Sequence, residues 1–134
     1  MATKTSPQVA AGVQPKGLRV GLVAVTGIYS MNTTSLSAGD VIQMVKVPAN
    51  ATPVYVAVSG GNGAITIDVG DGIDDDRYCA DLSASTGMTL KTINTVFVPY
   101  TYSTDDTIDI TVSAVSVTTT GGAFNMVAIF SMNP

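Results

Sequence analysis

Val54-Tyr55-Val56-Ala57-Val58-Ser59-Gly60-Gly61-Asn62-Gly63-Ala64-Ile65-Thr66-Ile67-Asp68-Val69 decides the class of this 134-residue chain. Val54, Val56 and Val58 alternate with Tyr55 and Ala57, and Ile65, Ile67 and Val69 alternate with Thr66 and Asp68. Successive side chains of a strand point to opposite faces, so a period of two marks strands with one face buried. Between the runs, Ser59-Gly60-Gly61-Asn62-Gly63 supplies residues that tolerate the backbone angles of a turn. The segment reads as two strands joined in a hairpin.

The same grammar extends both ways. Residues 18–30 are apolar but interrupted by Gly21 and Gly27, which predicts bulges or two short strands. A run over 41–47 stops at Pro48, which cannot donate to a ladder. Short strands are expected over 77–82 and 92–99, with a small-residue loop over 83–88 between them. Ile108, Ile110 and Val112 alternate with Thr107, Asp109, Thr111 and Ser113. After a Thr/Gly turn at 118–122, the last strand (123–132) puts Phe124, Met126, Ala128 and Phe130 on one face. That makes about eight strands and no convincing helical period. An all-β, antiparallel β-sandwich follows, with the jelly roll as the leading topology for eight strands.

Composition narrows the function. The chain has 18 Thr and 18 Val, which suit a pleated surface, and it has no His, Glu or Trp. Proton transfer and nucleophilic catalysis near pH 7 usually recruit His, Glu or a tuned Cys, so no enzyme is expected and no cofactor. Cys79 is the single cysteine and, with no His beside it, reads as a small buried hydrophobe. Six basic residues and a pI near 4.3 argue against nucleic acid as a partner. The start Met1-Ala2-Thr3-Lys4-Thr5 has no apolar h-region, so no signal peptide is expected, and no apolar run is long enough for a membrane span, so no membrane partner is expected. Hydrophobic residues make up 46% of the chain and mean hydropathy is +0.36, more apolar surface than one small monomer hides. A subunit or partner interface is therefore expected.

Charge is unevenly placed. Residues 1–16 are polar, contain Pro7 and Pro15, and read as an extended arm ahead of a sandwich domain over 17–134. Lys4, Lys16 and Arg19 give this end three positive charges, suited to docking on an acidic partner surface. From Asp68 to Asp81 there are six Asp and one Arg. Asp68, Asp71, Asp74 and Asp76 form a weak Ca²⁺ candidate set, outweighed by a solvated loop that Arg77 partly neutralises, because the spacing fits no EF-hand and there is no closing Glu. Tyr100 and Tyr102 flank Thr101 and read as exposed rings, first for a partner interface and second for a sugar platform.

Ala38-Gly39-Asp40-Val41-Ile42-Gln43-Met44-Val45-Lys46-Val47-Pro48, then Ile67-Asp68-Val69-Gly70-Asp71-Gly72 and Asp76-Arg77-Tyr78, give a pattern over roughly the middle third of the chain. It resembles that of small virion proteins of tailed bacteriophages, the head decoration or cement proteins. The resemblance implies a jelly-roll or β-sandwich subunit on the capsid surface that binds the major capsid protein, as a homo-oligomer (dimer or trimer), with no catalytic residues. A terminal arm reaching a neighbour would suit residues 1–16. The alternative is a tail- or fibre-associated receptor- or carbohydrate-binding module using Tyr100, Tyr102 and the acidic loop.

Overall fold

The computed structural model describes residues 1–10, 12, 21–31, 35–61, 64–84, 91–92, 100–116 and 121–132. Its elements are β1 (Thr3–Thr5), α1 (Pro7–Ala10), β2 (Gly21–Ser30), β3 (Val41–Val47), β4 (Ala51–Gly60), β5 (Ile65–Asp71), β6 (Cys79–Ala84), β7 (Lys91–Thr92), β8 (Asp106–Val115) and β9 (Ala123–Met132). Eight of the nine strands answer the expected ones in order, although residues 93–99 of the strand expected over 92–99 lie outside the described residues.

Two sheets form the sandwich, one ordered β2-β9-β4-β7 and the other β1-β3-β8-β5-β6. Leaving β1 aside, the antiparallel partners nest: β2 with β9, β3 with β8, β4 with β7, β5 with β6. Pairs β4–β9 and β5–β8 then complete the sheets. A long hairpin rolled up so that its successive rungs alternate between two sheets has this connectivity, which is the jelly roll.

The hairpin expected over 54–69 is not formed. β4 and β5 belong to different sheets, and the Gly60-Gly61 turn carries the chain across the sandwich. Alternation identifies a strand and its buried face, but it does not name the partner. Burial on both inner faces produces the pattern: Ile42, Met44, Val47, Ile65, Ile67, Val69, Ile108, Ile110 and Val112 on one sheet meet Val56, Val58, Phe124, Met126, Ala128 and Phe130 on the other. Each large apolar side chain removed from water contributes roughly 1.5–3 kcal/mol.

Nor do the glycines of β2 mark bulges. β2 is one unbroken strand in register with β9 from Gly21↔Met132 to Ser30↔Ala123. The register shifts lie instead in β3 (between Gln43 and Val45), β4 (Pro53 and Tyr55) and β5. Gly27 is bare for a packing reason: a methyl group there would overlap the carbonyl oxygen of Met44, the bulge residue of β3 on the opposite sheet. That carbonyl accepts a hydrogen bond from the Ser6 hydroxyl at 2.7 Å, while the Val9 amide donates to Ser6 Oγ at 3.3 Å. Ser6 thus caps α1 and ties it to β3.

The arm expected over 1–16 is corrected for its first ten residues. Thr3–Thr5 extends the five-stranded sheet as a parallel edge strand, with Thr3↔Val41 and Thr5↔Gln43, and α1 lies against both β2 and β3. The buried Asp40 anchors the start of the chain by accepting from the amides of Ala2 (3.2 Å) and Ser37 (3.0 Å). An unpaired sheet edge offers free backbone donors and acceptors, and the nearest polar segment without a strong period fills it. Residues 13–16, with the expected boundary at 16/17, lie outside the described residues.

Gly27→Ala is expected to lower stability by about 1–3 kcal/mol, as overpacking of a well-packed interior does. Ala24→Ser, on the outward face of the same strand, is expected to stay within about 0.5 kcal/mol. Urea denaturation midpoints compare the two.

Candidate functional site

The acidic segment that follows β5 does two different things. Asp71 lies opposite Ile108 and so points to the core side of the sheet, where its side chain is fully buried. Its Oδ1 accepts from the amides of Ile73 and Asp74, both at 2.9 Å. Its Oδ2 accepts from Arg77 Nε and, at 2.8 Å, from the Tyr102 hydroxyl. Burial alone would raise the carboxyl pKa, but the donors from Arg77, Ile73, Tyr102 and Asp74 together hold it below the ordinary value.

The tyrosines complete this cluster. The Tyr78 and Tyr102 hydroxyls lie 2.7 Å apart, and burial pushes Tyr78 up to about 12 and Tyr102 higher still. Tyr102 meets the edge of Tyr100 with ring centroids 5.0 Å apart, and the Arg77 guanidinium covers the Tyr100 ring at 3.7 Å. Tyr102 is only 2% exposed, so the expected platform of two exposed rings does not form. Tyr100 is half-buried and takes its cation from Arg77. Two aromatic residues before an acidic strand look like surface in a sequence, because the buried acceptor of Tyr102, Asp71, is 31 residues away.

The four carboxylates of the cation candidate are not gathered. Among the described residues, those whose oxygens come within 4.8 Å of one another are Asp74, Asp75 and Asp76. Asp71 is turned into the core, and Asp68 Oδ1 accepts from the Asp81 amide at 2.8 Å. Asp76 is raised above its ordinary value, first by a hydrogen bond shared with Asp74 and then by the surrounding charges. Of the basic candidates, Lys4 is half-buried beside Ile42 and not at the tip of a free arm. Lys16 and Arg19 lie outside the described residues.

Sequence reasoning missed Asp109. Its place in the alternation of β8 puts it on the outward face, opposite Gln43 of β3 and Gly70 of β5, yet it is only 4% exposed. The cover is long-range. A side chain at Gly70 would overlap the backbone of Asp74 and Asp75, so the bare glycine lets the acidic loop fold over the sheet beside Asp109. From the other side come Met1 and Thr3, which with Gln43, Asp75, Asp109 and Thr111 line a recess of about 310 Å³. Burial, with Asp106 and Asp71 nearby, raises Asp109 to about 7 despite the 2.6 Å hydrogen bond from the Thr107 hydroxyl.

The opposite side of the sandwich is chemically blank. β2, β4 and β9 contain no charged residue along ten positions each. Leu22 is 63% and Ile28 47% exposed. The protein is thus a jelly roll with one charged, recessed face and a second sheet whose three long strands carry no charge, with Lys91 on its short edge strand β7.

Three solved structures share this fold. A chain of the cyanophage Pam1 capsid asymmetric unit matches with a TM-score of 0.74 and 17% identity, over 91% of this chain and 91% of that one. A chain from the capsid of Ralstonia phage GP4 matches with a TM-score of 0.74 and 21% identity, over 98% and 99%. One from the acidic stable capsid structure of Helicobacter pylori bacteriophage KHP30 matches with a TM-score of 0.61 and 13% identity, over 87% and 92%. No protein-family model and no curated protein matches the sequence. At these identities the likeness is one of fold.

Asp109 and Asp71 act oppositely on stability. A carboxyl raised in the folded state stabilises below its unfolded value, near 3.8, and that contribution is lost as pH rises toward 7. A lowered carboxyl stabilises above that value and loses its contribution in stronger acid. Asp109→Asn is therefore expected to raise the melting temperature at neutral pH and to remove the decline between mild acid and neutrality. Calorimetry across pH checks this, and an unchanged pH profile would contradict it.

Proposed function

We propose that this chain is a non-enzymatic structural protein of a phage virion, a decoration or cement subunit on the capsid surface that binds the major capsid protein. The observation that carries this reading is the near end-to-end correspondence, at a TM-score of 0.74, with a chain in each of two phage capsid structures. The match spans a whole domain of the same size, not a shared motif. The composition fits: a rigid Val/Thr-rich sandwich with no His and no Glu is built for packing and contact, not for proton transfer.

The physics of the role is mass action. A ligand that binds the assembled shell and not its dissociated parts stabilises the shell, and many copies on one particle multiply a modest interface. The uncharged long strands of the second sheet suit self-association as a homo-oligomer (a dimer or trimer). In a two-fold contact each patch meets its own copy, so charges there would repel, and β2, β4 and β9 carry none. The receptor- or sugar-binding alternative loses its platform with Tyr102 buried.

Co-sedimentation with shells of its own phage assembled without it tests the reading. Saturable binding that weakens with salt is expected, and no binding at any salt concentration would overturn it. Leu22→Asp combined with Ile28→Asp is expected to shift sedimentation velocity from oligomer to monomer without lowering β-sheet content, and an unchanged boundary would exclude this face as the subunit contact.

A further inference from the structure

The recess over β3 and β8 is lined by a carboxyl group, Asp109, with one hydrogen-bond partner among the described residues. Asp109 is nine-tenths buried, and its single hydrogen bond is from the Thr107 hydroxyl to Oδ1. Its other oxygen has no protein partner among the described residues and, since none of their fully buried side-chain oxygens is unpartnered, it opens onto the recess. Among those residues, ion pairs join Arg77 to Asp71 and Asp74, and no described lysine, arginine or terminal amine pairs with Asp109 within 4.0 Å. Buried carboxylates are normally paired with a cation or a fuller set of donors. At about 310 Å³ the recess holds far more than one water, whose share of liquid volume is about 30 Å³.

We propose that this recess is a socket for a lysine or arginine side chain presented by a neighbouring capsid subunit, with Asp109 as its anion. The inference rests on the capsid-binding reading and adds where and by what chemistry contact is made. Charge complementarity favours this occupant. Among the described residues, the recess offers the carboxylates of Asp109, Asp75 and Asp71 beside the neutral acceptors of Gln43, Thr3 and Thr111; no lysine or arginine among them lines it, and Met1 brings the chain's amino group to its rim. A divalent metal is disfavoured by spacing. Ca²⁺ collects six to eight oxygens, whereas the carboxylates close enough to share an ion are Asp74, Asp75 and Asp76, without Asp109. A lysine or arginine head needs a single buried anion and a ring of neutral acceptors.

The socket also has a proton to lose. Around Asp109 are Asp106 on its own strand, Asp71 at the end of β5 and Asp75 in the loop that follows, while β3 brings the uncharged Val41 and Gln43, and Thr3 of β1 and the amino-terminal Met1 line the same recess. With Asp109 near 7, a cation binds best once that carboxyl is ionised.

Two measurements test the socket. In the first, butylammonium and ethylguanidinium, the head groups of lysine and arginine, are titrated into the protein with the amides of Gln43, Gly70 and Thr111 followed by NMR. A saturable shift is expected in the wild type and in the exposed-acid control Asp81→Asn, and none in Asp109→Asn. The absence of a saturable shift in the wild type, an equal shift in Asp109→Asn, or saturation by Ca²⁺ in their place would overturn the socket. In the second, shell binding is compared for the same three proteins. Asp109→Asn is expected to bind roughly tenfold more weakly, as loss of a charge-assisted hydrogen bond implies, and to lose the wild type's gain in affinity between about pH 6 and about pH 8. Wild-type binding that Asp109→Asn matches at every pH would overturn the socket and leave the capsid reading standing. A wild type that does not bind shells overturns the capsid reading instead, and with it the subunit as the source of the cation.

Discussion

The carboxylate of Asp71 is the point on which the lower end of the sandwich depends. It gathers two backbone amides, the Arg77 guanidinium and the Tyr102 hydroxyl around one fully buried charge. Those donors come from the loop after β5 and from the segment that leads into β8. That second segment is also tied to the other sheet: the Tyr102 amide donates to Ala51 and the Asn50 amide to Tyr102. One anion therefore fixes the loop, the tyrosines and the joint between the two sheets. Removing a partner from such a buried pair costs about 3–5 kcal/mol, because what remains is an uncompensated buried group.

With Asp71 turned inward, the loop it anchors folds outward over Gly70, and that fold is what buries Asp109. The same short stretch thus holds one acid, Asp71, on the core side of the sheet and covers another, Asp109 of β8, on the outer side. A well-satisfied buried charge organises structure. A buried acid with few donors is held closer to its neutral form by burial, as Asp109 is. The five-stranded sheet with its acidic loop and the uncharged β2, β4 and β9 give the molecule two chemically different surfaces.

Strand positions were legible because a half-buried strand writes its burial into every second residue, as Ile65-Thr66-Ile67 and Ile108-Asp109-Ile110 do. The jelly roll followed from the number of strands and the absence of helical periods. The hairpin over 54–69 and the bulges at Gly21 and Gly27 did not survive, for one shared reason. A glycine-rich turn is compatible with pairing or with crossing between sheets, and a glycine in a strand with either a bulge or a close neighbour. The first ten residues carry no period because an edge strand of three residues and a single helical turn are too short to write one.

By itself, then, the sequence determined the class of fold, the inward faces of its strands, the absence of the residue types that most enzymes use and the uneven placing of charge. These are local properties, set by side-chain type at fixed spacing along one chain. Tertiary structure alone decided which strands pair, that Tyr102 is core, and that Asp71 and Asp109, two acids in similar alternating contexts, have opposite fates. The difference lies in neighbours 30 or more residues away: Tyr102 for Asp71, and the loop over Gly70 for Asp109. Contacts at that separation depend on how the sheets roll, and no local pattern encodes them.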